Sequence, residues 1–193
     1  LPDGTPDSTF GNSGIVISDI DGDDQLYGLA LQADGKILVS GSSLTSHFLL
    51  LRYLPDGTLD NSFGAGGITT INVTGYSSGI SRALAIQNDG KIIIAGGVNN
   101  VSNLDVAVLR FKTNGTPDSS FAVNGVRITD NGGTHEQGYA VALQTDGKIV
   151  ICGYSSVVNG NGHMIVLRYT TSGNLDSTFA NVGYVTTVVG ISE

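Results

Sequence analysis

The sequence predicts an all-β protein of the β-propeller type: three four-stranded antiparallel blades plus one extra strand. Three observations predict it. The segment Leu1-Pro2-Asp3-Gly4-Thr5-Pro6-Asp7-Ser8-Thr9-Phe10 recurs at 54–63, 112–121 and 170–179. The tripeptide Asp-Gly-Lys recurs at 34–36, 89–91 and 146–148. Glycine accounts for 28 of 193 residues while charged residues make up only 13%. That balance suits short strands joined by tight turns, because glycine destabilises helix interiors.

The repeat sets the organisation of the chain. Its inner aspartates, Asp7, Asp60, Asp118 and Asp176, are spaced 53, 58 and 58 residues apart. Leu51-Arg52-Tyr53, Leu109-Arg110-Phe111 and Leu167-Arg168-Tyr169 close successive units. The chain reads as one repeat domain, 1–193, with units 1–53, 54–111 and 112–169 and a partial unit 170–193. About 55 residues in four antiparallel strands is the size of a propeller blade.

Within each unit the first strand follows the Phe-Gly segment, at 15–20, 68–73, 126–130 and 184–189. The second alternates with period two, at 28–32, 82–87 and 139–144, as a strand does. Asp-Gly comes next, the pair preferred in a two-residue type I′ hairpin turn. The third strand is continuously apolar, at 37–39, 92–94 and 149–151, as expected of a strand buried on both faces. The fourth covers 48–53, 106–111 and 164–169, after loops that differ between units.

These markers resemble those of the bacterial delta-sixty repeat family. Asp56-Gly57-Thr58-Leu59-Asp60-Asn61-Ser62-Phe63-Gly64 carries the family's opening motif, and Gln32, Gln87 and Gln144 stand before its hairpin. Ala122 and Ala180 depart from the pattern where it has the glycine after Phe. The resemblance implies a propeller-like domain of a secreted or cell-surface bacterial protein and carries no activity to transfer.

Composition narrows the partners. A net charge of −8 argues against nucleic acid, which needs a basic stripe to displace counterions. No apolar run approaches the roughly 20 residues that span a bilayer, so membrane insertion is not expected. Of nine basic residues, six are the repeated Lys and Arg; Arg82, Lys112 and Arg127 remain for a unique site. Each repeated Arg is expected to pair with a repeated Asp, as Arg52 with Asp60, and each repeated Phe to plug its connector into the core. Cys152 aligns with Ser40 and Ala95 and is expected to be a small packed residue.

Variable loops on a rigid scaffold are the natural recognition surface. Their polar and aromatic residues Tyr76, Asn99, Asn100, His135, Tyr154, Asn159, Asn161 and His163 suit a glycan or a protein surface. His47 precedes a fourth strand as His163 does, but two histidines fall short of a metal site. Calcium is the cofactor to consider at Asp19, Asp21, Asp23 and Asp24, whose spacing resembles the start of an EF-hand loop. That loop would require Gly where Asp24 stands and Glu where Ala30 stands.

The expected function is therefore a non-catalytic binding or scaffolding module. No nucleophile with its base and no cofactor motif is evident. The rival readings are a carbohydrate-active or oxidoreductase propeller with its site spread over several blades, and an architectural segment of a large surface protein. Propellers usually close with four to eight blades. Three blades thus imply a longer array or two chains sharing one ring, and self-association through open blade edges is expected.

Overall fold

A computed structural model describes residues 1–45, 48–100, 103–132, 135–156 and 162–188. Twelve strands form three antiparallel blades. The first contains β1 (Gln25–Leu31), β2 (Ile37–Ser42), β3 (Phe48–Tyr53) and β4 (Ile68–Ile71). The second contains β5 (Ser78–Ile86), β6 (Ile92–Asn99), β7 (Leu104–Phe111) and β8 (Val126–Thr129). The third contains β9 (His135–Leu143), β10 (Ile149–Ser156), β11 (Gly162–Tyr169) and β12 (Tyr184–Thr187). A single parallel pair, Leu104 with His135, joins the second and third blades. No helix among the described residues is long and apolar enough to cross a membrane.

The blade is out of phase with the sequence unit by one strand. The strand that opens a unit closes the preceding blade, so β4, β8 and β12 follow the connectors at 54–63, 112–121 and 170–179. Residues 15–20, expected as a first strand, complete no blade among the described residues. They make one bridge, Asn12 with Ile15, and no ladder. Instead Val16 and Ile20 cover Leu49, Leu51 and Tyr53 on the outer face of blade one, and the Ser18 and Tyr53 hydroxyls meet at 2.7 Å.

Burial follows from position in the stack. Leu38, Leu50, Ile92, Ile94 and Leu109 fill the space between blades one and two, with Phe63 sealed into it. Ile93, Ala95, Val108, Ile151 and Leu167 fill the next, with Phe121. Only β6 is buried on both faces in the way expected of every third strand; Val39 and Val150 are merely half-buried. Cys152 is exposed, contrary to the packed position expected for it. The face of blade three that carries it corresponds to the face blade two buries against blade three, and among the described residues no blade lies on it.

The connectors lock blade to blade. Arg52 donates Nε–H to Asp60 Oδ2 at 2.8 Å, and Ser62 occupies the other carboxylate oxygen. The expected Arg–Asp pairing is present in all three units, with Arg110–Asp118 and Arg168–Asp176 also at 2.8 Å. The bond that crosses between blades is a different one. Arg52 Nη1 reaches the Thr113 carbonyl at 2.7 Å, and Arg110 Nη1 reaches that of Thr171 at 2.6 Å. Gly115 and Gly173 lie so close against the Phe63 and Phe121 rings that a Cβ would come within 2.8 Å.

The Asp-Gly turns differ from the expected two-residue type. Gly35 N–H bonds to Gln32 O, Gln32 N–H bonds to Lys36 O, and only the glycine of each pair has positive φ. This is the three-residue hairpin, a tight turn followed by one left-handed residue. The preceding Asp instead uses Oδ1 to accept the backbone N–H of the following Lys.

Candidate functional site

At the end of β6 opposite its Asp-Gly hairpin, three carboxylates converge. Oxygens of Asp105, Asp130 and Glu136 lie within 4.8 Å of one another, and among the described residues no other such group of three potential ligating side chains occurs. Asp105 starts the sequestered part of β7, Asp130 follows β8, and Glu136 is the second residue of β9. Asp105 is 2% exposed and Glu136 0%. The Leu104–His135 pair brings the two strands together here.

The surrounding turn is built to hold Asp105. Asn100 Nδ2 donates to its Oδ2 at 3.3 Å and Asn103 Nδ2 to its Oδ1 at 3.1 Å. The Tyr76 hydroxyl also interacts with the Asp105 carboxylate. Burial, reinforced by the Asp130 charge, pushes the Asp105 carboxyl above its ordinary value. Burial and the same two aspartates raise the Tyr76 hydroxyl. The rim is thus a concentration of acceptors bordered by an aromatic ring, suited to donors such as sugar hydroxyls or a basic side chain.

Two residues expected to form a loop surface meet here. Tyr76 and Asn100 touch Asp105, and His135 adjoins Glu136. Asn99 pairs with Ser78 and accepts Ser77 N–H through its carbonyl at 2.8 Å. Tyr154 and His163 lie on the neighbouring β10–β11 hairpin, paired with Met164 and Ser155 respectively. Asn159, Asn161 and His47 lie outside the described residues.

The carboxylates of the site itself are new relative to the sequence reading. Asp105 sits inside a fourth strand and Glu136 inside a second, where the alternation of side chains alone marks neither as converging. A cue was present: units one and three carry histidines, His47 and His163, at the place of Asp105.

The acidic turn of Asp19, Asp21, Asp23 and Asp24 is not gathered around one point. Asp24 accepts Ile20 N–H at 2.6 Å, Asp21 accepts the Thr45 hydroxyl, and Asp23 faces Gln25 Nε2 at 3.4 Å. Asp21, Asp23 and Asp24 thus bond to three separate partners, one of them in the loop after β2.

On the opposite rim a cleft of about 550 Å³ separates the hairpins of blades two and three. Gln87, Asp89, Lys91 and Gln144 line it, and Lys91 is paired to Asp89 at 2.6 Å. Its charged groups thus already have partners.

A family model described as "Domain of unknown function (DUF5122) beta-propeller" matches residues 32–63, 87–121 and 144–179, together more than half of the chain. Each match runs from the Gln before a hairpin to the Phe of the following connector. No curated protein matches the chain.

Proposed function

The chain belongs to the DUF5122 β-propeller family, and we propose that it is a non-catalytic binding or scaffolding module recognising a glycan or a protein through the rim around Asp105. The observation that carries this reading is the convergence of Tyr76 and Asn100 on the Asp105–Asp130–Glu136 cluster. Strand ends and the turns beside them hold these groups while their polar atoms crowd one place, as a recognition site requires. The motif resemblance to delta-sixty repeats supports a secreted or cell-surface bacterial setting.

An immobilised panel of glycans and surface proteins tests this reading. The chain should retain a subset, and Asn100→Ala should weaken that retention without lowering the melting temperature by more than a few degrees. Retention of no panel member, or undiminished retention by the variant, would overturn it.

Self-association is supported by a separate observation. Inside the chain, each Phe ring meets the glycine of the next connector, and a backbone N–H beside it meets that connector's carbonyl: Gly64 to Asn114 at 2.9 Å, Ala122 to Ser172 at 2.8 Å. Phe179 and Arg168 carry the first half of this lock at one end. The 1–5 connector carries the second half at the other, where nothing lies within 4 Å of a Cβ built on Gly4. Blade three adds exposed Tyr154, Met164 and Val185 to the same face. The two ends are complementary, so copies can stack head to tail. Light scattering should give a mass that grows with concentration for the wild type and falls toward 19.9 kDa for Met164→Asp. A concentration-independent monomer would sink this part alone.

A further inference from the structure

The first strand of every blade is interrupted at the same place. In β1 the ladder passes from Leu26–Gly41 to Gly28–Ser40, and in β5 from Ser81–Gly96 to Ala83–Ala95. In β9 it passes from Gly138–Gly153 to Ala140–Cys152. The residues left without a partner are Tyr27, Arg82 and Tyr139. A β-bulge bends its strand and re-aims the side chain of the extra residue. The glycine opposite is part of the device. A Cβ on Gly41, Gly96 or Gly153 would lie 1.9 Å from the carbonyl oxygen of Gln25, Ile80 or Gln137.

Because β1, β5 and β9 lie side by side, the three bulges set their side chains in a row. Arg82 stands in the middle. Its Cζ lies 4.6 Å from the Tyr27 ring centroid and 5.9 Å from that of Tyr139. Both rings remain open to solvent, at 43% and 49% exposure.

Arg82 differs from the arginines that build the fold. Arg52, Arg110 and Arg168 each give Nε–H to a carboxylate. Among the described residues Arg82 makes no ion pair, and its buried Nε has no acceptor. A buried charged donor left without an acceptor is costly. The tyrosine rings flank the guanidinium, so its N–H edge is what remains for a partner. That edge accepts the two oxygens of a carboxylate in parallel. A single cation in a chain of net charge −8 suits one negative charge rather than the two of a phosphate monoester. The rings, each with an apolar face and a hydroxyl, suit the similarly two-natured surface of a pyranose.

We infer that the Tyr27–Arg82–Tyr139 row is a binding site for the carboxylate of an acidic sugar, a hexuronate, with Arg82 gripping the carboxylate and the tyrosines flanking the sugar ring. This site lies midway along the strands and is independent of the rim around Asp105.

Calorimetric titration of the chain with a glucuronate-terminated trisaccharide, its neutral glucose counterpart and a glutamate-rich peptide tests the inference. The acidic sugar should bind at least about tenfold more tightly than the neutral one, and Arg82→Gln should remove that advantage. Arg82→Lys should retain part of it, since an ammonium keeps the charge without the fork. The melting temperature of Arg82→Gln should equal or exceed that of the wild type, because a buried unsatisfied donor has gone. Equal affinity for both sugars, or wild-type affinity in Arg82→Gln, would overturn the site. So would binding of the peptide alone, or of none of the three, by the folded chain.

Discussion

Arg110 is held by two blades at once: its Nε donates to Asp118 at 2.8 Å within blade two, and its Nη1 donates to the Thr171 carbonyl at 2.6 Å in the connector of blade three. Phe121 lies under the same guanidinium, 4.7 Å from Cζ. One side chain thus fixes its own connector and the next. Arg52 is arranged the same way with Asp60, Thr113 and Phe63.

Arg110→Ala should therefore be severely destabilising. It strands a nearly buried Asp118 and cuts the bond between blades, a loss of about 3–5 kcal/mol. For a chain of this size that lowers the melting temperature by roughly 10 °C. Arg168→Ala should cost clearly less, because Arg168 keeps Asp176 but reaches no connector carbonyl among the described residues, and it is more exposed. Thermal denaturation of both variants by circular dichroism checks this ranking. Equal losses would show that the bond between blades adds nothing.

Acid should weaken the same locks. The Ser62 hydroxyl, with Ser62 N–H, Lys36 and Arg52, holds Asp60 well below the usual carboxylate range. The Thr178 hydroxyl leads the groups that bring Asp176 down to about 2. At Asp118 burial opposes ionisation but is outweighed by Ser120 and Arg110. These depressed values contribute stability above the ordinary value of 3.8, lost as pH falls from about 4 through about 2.

Asp105 has the opposite sign. Its raised value means that the folded state favours the protonated form, so its contribution is present at low pH and lost as pH rises through the folded value. Stability should therefore peak in the mildly acidic range. Asp105→Asn should raise the melting temperature at pH 7.5 and change it little near pH 4. A lower melting temperature at pH 7.5 would show that Asp105 is stabilising in its ionised form.

Gly96→Ala tests the bulge. The new methyl would meet Ile80 O at 1.9 Å in a strand buried on both faces, so β5 and β6 must separate. The expected cost is about 1–3 kcal/mol, together with loss of acidic-sugar binding through displacement of Arg82. Denaturant unfolding and calorimetry measure the two effects. Wild-type stability would mean that the bulge is not required.

Ala122→Gly should stabilise. Ala122 has φ 46°, in the left-handed region where Gly64 occupies the equivalent place at φ 53°. Relief of that strain outweighs the extra freedom glycine gives the unfolded chain, by about 0.5–1 kcal/mol. A urea midpoint higher than the wild type's is the expected result, and an unchanged midpoint would show that the connector relaxes around the alanine.

Much of the fold was legible because its signals are local. Period-two alternation marked β5 and β9, the continuous apolar triplet at 92–94 marked β6, and the recurrence of Arg52 with Asp60 eight residues on identified the lock. Residues 15–20 misled for a physical reason. They carry the same pattern as β4, but a strand needs a neighbour's backbone, and among the described residues none pairs with them. Cys152 misled similarly, since its alignment with Ala95 holds while no described residue covers its face as blade three covers that of Ala95. The rim was half visible: Tyr76 and Asn100 stood out as loop residues, whereas Asp105 and Glu136 looked like ordinary strand positions.

The sequence by itself determined that the chain is all-β, how long each repeat is, where its strands lie apart from 15–20, and which residues lock its connectors, because hydrogen-bonding period, turn chemistry and recurrence act over a few residues or repeat at fixed spacing. Only the tertiary structure decided that each blade borrows its last strand from the next unit, that Asp105, Asp130 and Glu136 share one place, and that Arg82 stands between two tyrosines. Those relationships join residues tens of positions apart, and their energies depend on which surfaces meet once the blades are stacked.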